Sequence, residues 1–230
     1  QEVMSETITN AIKLDKTPNA YLLTGIRGVG KTTTARLIAK ALNCEKNNNK
    51  NINCSDGNFC STCQEIIDSN HIDILEMDAA SKTGIDDIRE LIENSKYSPT
   101  SAQFKIFIID EVHMLSKQAF NGLLKTLEEP PPSLKFILAT TEVRKIPVTI
   151  LSRCQRFDLK RVSIEQLCSH LKKITLLEKG NITDGAIKLI ARNSEGSVRD
   201  SISLLDRALI SQTTNDNKTI DEQDVREMLG

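Results

Sequence analysis

Eight consecutive residues, Gly25-Ile26-Arg27-Gly28-Val29-Gly30-Lys31-Thr32, fit the spacing G-x-x-x-x-G-K-[ST], in which each residue type has a task on a phosphate. Gly28 and Gly30 let the backbone curl so that successive N–H groups face an anion, and the helix expected in TTARLIAKAL adds the positive end of its dipole. Lys31 then reaches the β- and γ-phosphates of ATP, and the Thr32 hydroxyl ligates Mg²⁺. The nucleotide-binding candidates are therefore Gly25, Ile26, Arg27, Gly28, Val29, Gly30, Lys31, Thr32 and Thr33. Hydrolysis also needs a metal anchor and a positioned water, and IFIIDEVH offers both at the end of an apolar strand. Asp110 is expected to hold Mg²⁺ and Glu111 to orient or deprotonate the water.

Asp110-Glu111-Val112-His113 also fits the D-E-x-H box of helicases. Those motors close their site between two tandem RecA-like domains, and 230 residues ending in helices have room for one. His113 is then expected to be a packing or coupling residue.

Four cysteines, Cys44, Cys54, Cys60 and Cys63, fall within a short span, while Cys154 and Cys168 stand apart and are expected in the core. In a reducing compartment such a cluster reads as a metal site rather than as disulfides. Within it CEKNNNKNINC reads as a solvated, insertion-tolerant loop. A last residue without a local explanation is Arg153, set in PVTILSRCQRF, a stretch with no acid in it.

Elements able to position these residues follow from periodicity. Strand-length apolar runs (AYLLT, HIDILEM, FKIFIID, LKFILATT, CQRFDL) alternate with stretches of helical spacing, the pattern of βαβ units and a parallel sheet. Phe120, Leu123, Leu124 and Leu127 follow i, i+3, i+4, i+7, with Ser116 as N-cap and EEPPP as terminator. After about residue 160 the strand signal stops, and helices are predicted at Ile164–Leu177, Thr183–Asn193, Ser197–Ile210 and Asp221–Met228. Ser197 with Asp200 matches a capping box, which puts Arg199 in the first helical turn. The predicted organisation is an α/β nucleotide-binding domain over 1–160, with a cysteine module at 44–63, and a small helical domain over 161–230.

Composition narrows the partners. The net charge is -1, so the uniformly basic footprint of a duplex-coating protein is missing. Aromatics are 3% with no Trp, too few for a base-stacking platform. No run approaches the length of a membrane span and the N-terminus has no signal-peptide pattern, so a cytoplasmic protein with no membrane partner is expected. A chain starting at Gln1 is expected to be a fragment of something longer.

Taken in order, the phosphate loop, IIDEVHMLS, LATTE, PVTILSRC and GSVRDSISLLDRA resemble the AAA+ ATPases of bacterial replicative clamp loaders, those of DNA polymerase III, over essentially the whole chain. Delta-prime subunits of such loaders also carry an SRC motif and cysteines but typically lack an intact phosphate loop, so Gly30-Lys31-Thr32 is the discriminating feature. The resemblance implies an AAA+ P-loop fold with a helical lid and an Mg²⁺-dependent ATPase that performs no polymerisation itself. It implies that Arg153 acts in trans as an arginine finger on a neighbour's γ-phosphate, that Thr141 (with Thr140 as the alternative) is sensor 1, and that Arg199 is sensor 2. The four cysteines correspond to the family's Zn²⁺ module, although the Cys54-x5-Cys60 gap is longer than the family's. Lys82 and Arg89 lie where loader subunits contact the DNA backbone. Expected partners are delta, delta-prime, further copies of the chain itself, the sliding clamp and primed DNA; the fragment, lacking a collar domain, is expected to be monomeric. Other classes of function compatible with the motifs are a helicase or branch-migration motor and a nucleotide-binding scaffold subunit such as delta-prime.

Overall fold

Five strands, β1 (Ala20–Thr24), β2 (Ile74–Asp78), β3 (Lys105–Asp110), β4 (Leu134–Thr140) and β5 (Gln155–Asp158), form one parallel sheet in the order β2-β3-β4-β1-β5. The computed structural model describes residues 2–46, 54, 58–81, 84–212 and 219–230. Strands covered on both faces read as unbroken apolar runs, and β1 and β4 are buried along their whole length. Alternate residues Leu22, Phe107, Ile109, Phe136 and Leu138 face one side, where α4 (Ile85–Ser95) and α5 (Lys117–Glu128) contribute Ile88, Phe120, Leu123 and Leu127. Intervening residues Tyr21, Leu23, Ile108 and Ile137 are buried on the other side. There α2 (Lys31–Asn43), with Ala35, Ile38, Ala39 and Leu42 buried, lies against β1, β3 and β4.

The first of two compact units holds residues 1–25 and 31–159. It also contains α1 (Glu2–Lys13), α3 (Ser61–Ile67) and α6 (Val148–Leu151). The second holds residues 26–30 and 160–230, with α7 (Ile164–Leu177), α8 (Asp184–Asn193), α9 (Val198–Gln212) and α10 (Glu222–Leu229). Leu167, Leu171, Ile187, Ile190, Leu205 and Val225 make its own core. No helix among the described residues is long and apolar enough to cross a membrane.

Local chemistry sets the element ends. Ser116 caps α5 as its spacing predicts, accepting the Ala119 N–H at 3.2 Å. Only half of the box expected at α9 forms: Ser197 Oγ accepts the Asp200 N–H at 3.2 Å, but the Ser197 N–H is already taken by Ser194 O at 2.8 Å. Full boxes stand instead at α7 (Ser163 with Gln166) and α10 (Asp221 with Asp224). The strand read from HIDILEM starts later than its apolar run, because the Ile74 N–H turns back to His71 O and the Asp73 N–H to His71 Nδ1.

Asp73, 1% exposed, ties this turn to the segment before β3. Its carboxylate accepts the N–H groups of Thr100 and Ser101 at 2.8 Å and of Ala102 at 3.0 Å. Burial pushes its pKa up, but these donors, with the Ser101 hydroxyl, outweigh burial and hold it below the ordinary carboxylate value. A lowered pKa stabilises the fold above the unfolded carboxylate value, and that contribution is lost as pH falls through the folded value. Asp73→Asn is therefore expected to cost about 3 kcal/mol at neutral pH and progressively less below about pH 4, read as denaturation midpoints against pH.

Candidate functional site

The carboxyl ends of β3 and β4 carry Asp110 and Thr140, with Glu111 and Thr141 next in the chain. Lys31 opens α2 one residue after the loop, 5% exposed, with Nζ 3.2 Å from Gly25 O. Thr32 Oγ1 donates to Asp110 Oδ2 at the end of β3, so the two residues predicted to serve Mg²⁺ touch. A hydroxyl and a carboxylate together form an oxygen-only donor pair that suits a hard cation. Thr33, by contrast, is exposed on α2. The Asp110 carboxylate also accepts the Glu111 N–H at 2.8 Å.

Glu111 stands in the left-handed region, at φ 45° and ψ 42°, a conformation a non-glycine residue adopts at a cost of order 1–3 kcal/mol. Its carboxylate is held from several sides. Oε2 accepts the Thr141 hydroxyl at 2.9 Å and the Thr141 N–H at 3.2 Å, while Oε1 lies 3.9 Å from Lys31 Nζ. The two candidate sensor threonines thus differ in surroundings. Thr141 faces Glu111, whereas Thr140 is fully buried with Oγ1 3.0 Å from His113 Nδ1.

In the second unit, residues 26–30 carry the loop's curl: Gly28 has φ 75° and Gly30 φ 98°. Gly28 O accepts the Val198 N–H at 2.9 Å and the Arg199 N–H at 3.3 Å, the first free donors of α9. A Cβ at Gly28 would collide with Ser197 Oγ and stand 2.9 Å from Arg199 Cβ. The backbone of Arg199 thereby meets the phosphate loop, and its side chain is exposed.

Arg153 lies just beyond α6 and has a partner that its sequence neighbourhood hides. Nη2 pairs with Glu128 Oε1, at the end of α5, at 2.7 Å, and Nη1 donates to Thr149 O at 2.6 Å. Of the two DNA candidates, Lys82 lies outside the described residues; Arg89 is exposed on α4 and pairs with Asp86 at 2.8 Å.

The sulfur atoms of Cys44, Cys54, Cys60 and Cys63 all lie within 4.8 Å of one another, Cys54 included despite its long spacing. Cys44 and Cys54 sulfurs are 3.4 Å apart, and Cys60 Sγ caps α3 by accepting the Cys63 N–H at 3.4 Å. Burial pushes the Cys60 thiol up, but donors led by the Cys63 N–H bring it down to about 7. Tetrahedral zinc at ~2.3 Å from each thiolate places sulfurs about 3.8 Å apart, so the cluster fits that ion. Cys154 and Cys168 pack partly buried against the cores of their own units.

Two family descriptions match. "DNA polymerase III, delta subunit" covers residues 1–163, and "DNA polymerase III clamp loader subunit, ATPase lid domain" covers residues 166–213. Among curated relatives, DNA polymerase III subunit tau of Escherichia coli is 47% identical over 92% of this chain and 32% of its own length. Subunit gamma of Buchnera aphidicola subsp. Schizaphis graminum is 46% identical over 100% of this chain and 61% of its own. Subunit tau of Bacillus subtilis is 46% identical over 91% and 36%. The chain thus spans about a third to three-fifths of these relatives. Among solved structures, the Thermotoga maritima RuvB Holliday junction branch migration motor superposes with a TM-score of 0.71 over 100% of this chain and 68% of that one. At 21% identity this likeness is one of fold: an AAA+ P-loop sheet with a helical lid. Matched nearly end to end by those two descriptions, the chain belongs to the DNA polymerase III clamp-loader family of AAA+ ATPases.

Proposed function

We propose that this chain is the ATPase part of a bacterial replicative clamp loader of the tau/gamma kind, coupling ATP binding and hydrolysis to placement of a sliding clamp on primed DNA. The observation that carries the reading is the intact Gly30-Lys31-Thr32 with Thr32 hydrogen-bonded to Asp110 and Glu111 beside Lys31. A purely scaffolding subunit has no use for that set.

In this mechanism the backbone amides of residues 25–30 cradle the phosphates and Lys31 neutralises their charge. Thr32 and Asp110 would hold Mg²⁺, which would supply positive charge to offset that developing on the phosphate oxygens. Glu111 orients the attacking water and accepts its proton as the water oxygen bonds to the γ-phosphorus and the bond from that phosphorus to the bridging β-phosphate oxygen breaks, leaving ADP and phosphate. Thr141 lies against Glu111, where it senses the γ-phosphate, and Arg199, on α9, carries its loss into the helical lid. Arg153 serves the site of an adjacent copy. Cys44, Cys54, Cys60 and Cys63 would hold one structural Zn²⁺ with no ligand position left for water.

Zinc should measure at one per chain, with Cys63→Ser losing it. Chelation is expected to lower the melting temperature of the full-length protein and leave the phosphate site's nucleotide affinity within about twofold, since closed zinc sites act on folding. A metal-free native protein with an unchanged melt would remove zinc from this account.

Steady-state ATPase of the full-length protein, alone and with candidate delta and delta-prime subunits, clamp and primed DNA, tests the main proposal, with Lys31→Ala as the blank. Stimulation that needs both clamp and primed DNA supports it. ATP-driven strand separation without partners would favour a branch-migration or helicase motor, and no turnover under any condition would favour a passive nucleotide-binding scaffold.

A further inference from the structure

His113 follows Glu111 by two residues, and the left-handed backbone at Glu111 turns the chain so that the imidazole comes back to face that carboxylate. The ring is 5% exposed. Nδ1 lies 3.3 Å from Glu111 Oε2 and 3.0 Å from Thr140 Oγ1; Nε2 lies 3.5 Å from Glu142 Oε1. Thr140 Oγ1 in turn accepts the Glu142 N–H at 3.0 Å, and Lys145 Nζ holds Glu142 Oε1 at 2.8 Å. Each ring nitrogen therefore faces a glutamate, and Nδ1 also meets the Thr140 hydroxyl. One glutamate belongs to the hydrolytic site; the other stands in the turn after β4 that leads through residues 143–145 to α6.

These contacts divide the Glu111 carboxylate. Oε2 meets Thr141 twice and His113 once, while Oε1 is left toward Lys31. A glutamate whose Oε2 is met only by a threonine keeps much of its rotamer freedom. An imidazole on the same oxygen, itself held at Nδ1 by Thr140, removes it.

We propose that His113 is a positioning residue for hydrolysis: buried between Glu111 and Glu142, with Nδ1 against Glu111 and the Thr140 hydroxyl, it fixes the Glu111 carboxylate for the attacking water. The inference rests on the ATPase reading of the site and adds to it a residue that touches neither nucleotide nor metal. A simple packing role would account for burial but would leave the polarity of the ring without consequence.

The test uses the full-length chain, with single-turnover ATP hydrolysis and nucleotide affinity measured separately. His113→Leu is expected to slow hydrolysis about tenfold, as a misplaced reacting group does, with affinity unchanged within about twofold. His113→Asn, whose amide reaches the Nδ1 position, is expected to recover to within about threefold of wild type, and His113→Gln, which reaches only toward Nε2, to stay as slow as His113→Leu. Added to Glu111→Gln, His113→Leu should cost nothing more, because residues acting through one another are non-additive. Should His113→Leu fail to fold, the Asn and Gln pair carries the same comparison. Equal losses in Asn and Gln, a fall in affinity matching the fall in rate, or full additivity with Glu111→Gln would each overturn the proposal. A Glu111→Gln chain that hydrolyses at the wild-type rate would instead sink the reading of the site itself, and this inference with it.

Discussion

Arg153→Ala is expected to abolish the partner-stimulated part of ATP hydrolysis, a loss of about 10³-fold or more, the scale on which an arginine supplied in trans acts. ATP binding by the altered subunit should persist, because Arg153 belongs to a neighbour's site in this account. Folding should persist too: the substitution removes one ion pair to Glu128 on the surface, with the two side chains 32% and 49% exposed, and such pairs contribute about 0–1 kcal/mol. The decisive measurement mixes two inactive chains. Lys31→Ala retains Arg153 but cannot hold phosphate, and Arg153→Ala retains the phosphate loop. If the arginine works across a subunit boundary, the mixture with the other loader subunits, clamp and primed DNA regains part of the stimulated rate. A mixture as inert as its components, or an Arg153→Ala chain that loses its own basal turnover, would put the arginine to some use within its own subunit.

For Glu111→Gln, the expected result is a fall in hydrolysis of about 10²- to 10⁴-fold, the usual contribution of a positioned base, with nucleotide still bound. The amide keeps the size of the side chain and can still meet the Thr141 hydroxyl and N–H, which now hold Oε2 at 2.9 and 3.2 Å. What it loses is the charge that takes a proton from water. Rapid-quench hydrolysis alongside nucleotide binding separates these effects. Tight binding with slow turnover supports the role given to Glu111, and unchanged turnover would transfer that role to another group.

Which parts of this site the sequence discloses depends on how far apart the cooperating atoms lie along the chain. The phosphate loop, Asp110-Glu111 and the Ser116 cap are legible because each task is completed within a few residues. The sheet is legible for a related reason: strands buried on both faces must be continuously apolar, and AYLLT and LKFILAT leave no other period to fit. Helix α3 escapes notice because it is short and its cap is a cysteine sulfur, a residue absent from the usual capping signals. Arg153 looks unpaired in its own segment because Glu128 arrives from another element, 25 residues earlier in the chain. Likewise nothing local joins Glu111 to Thr141 or His113 to Glu142; parallel strands bring their ends together only after the whole sheet has formed. Cys54 is the converse case, where spacing alone argues against a residue that the fold then brings into the cluster.

The strand register carries a consequence for how this chain tolerates changes of length. Thr24 pairs in register with both Thr140 and Asp158, and Asp78 pairs with Asp110, so the sheet ends as a nearly level row. Along a strand successive side chains alternate between faces. Deleting one residue inside β4 would move Thr141 into the buried place of Thr140 and bring Glu142 to the place where Thr141 now meets Glu111, setting two carboxylates against each other. Lengthening the surface connections would leave that row undisturbed, since loop closure costs only about 0.6 kcal/mol per doubling. Insertions and deletions in this molecule therefore fall into two kinds, those a loop absorbs and those that reassign every side chain beyond them.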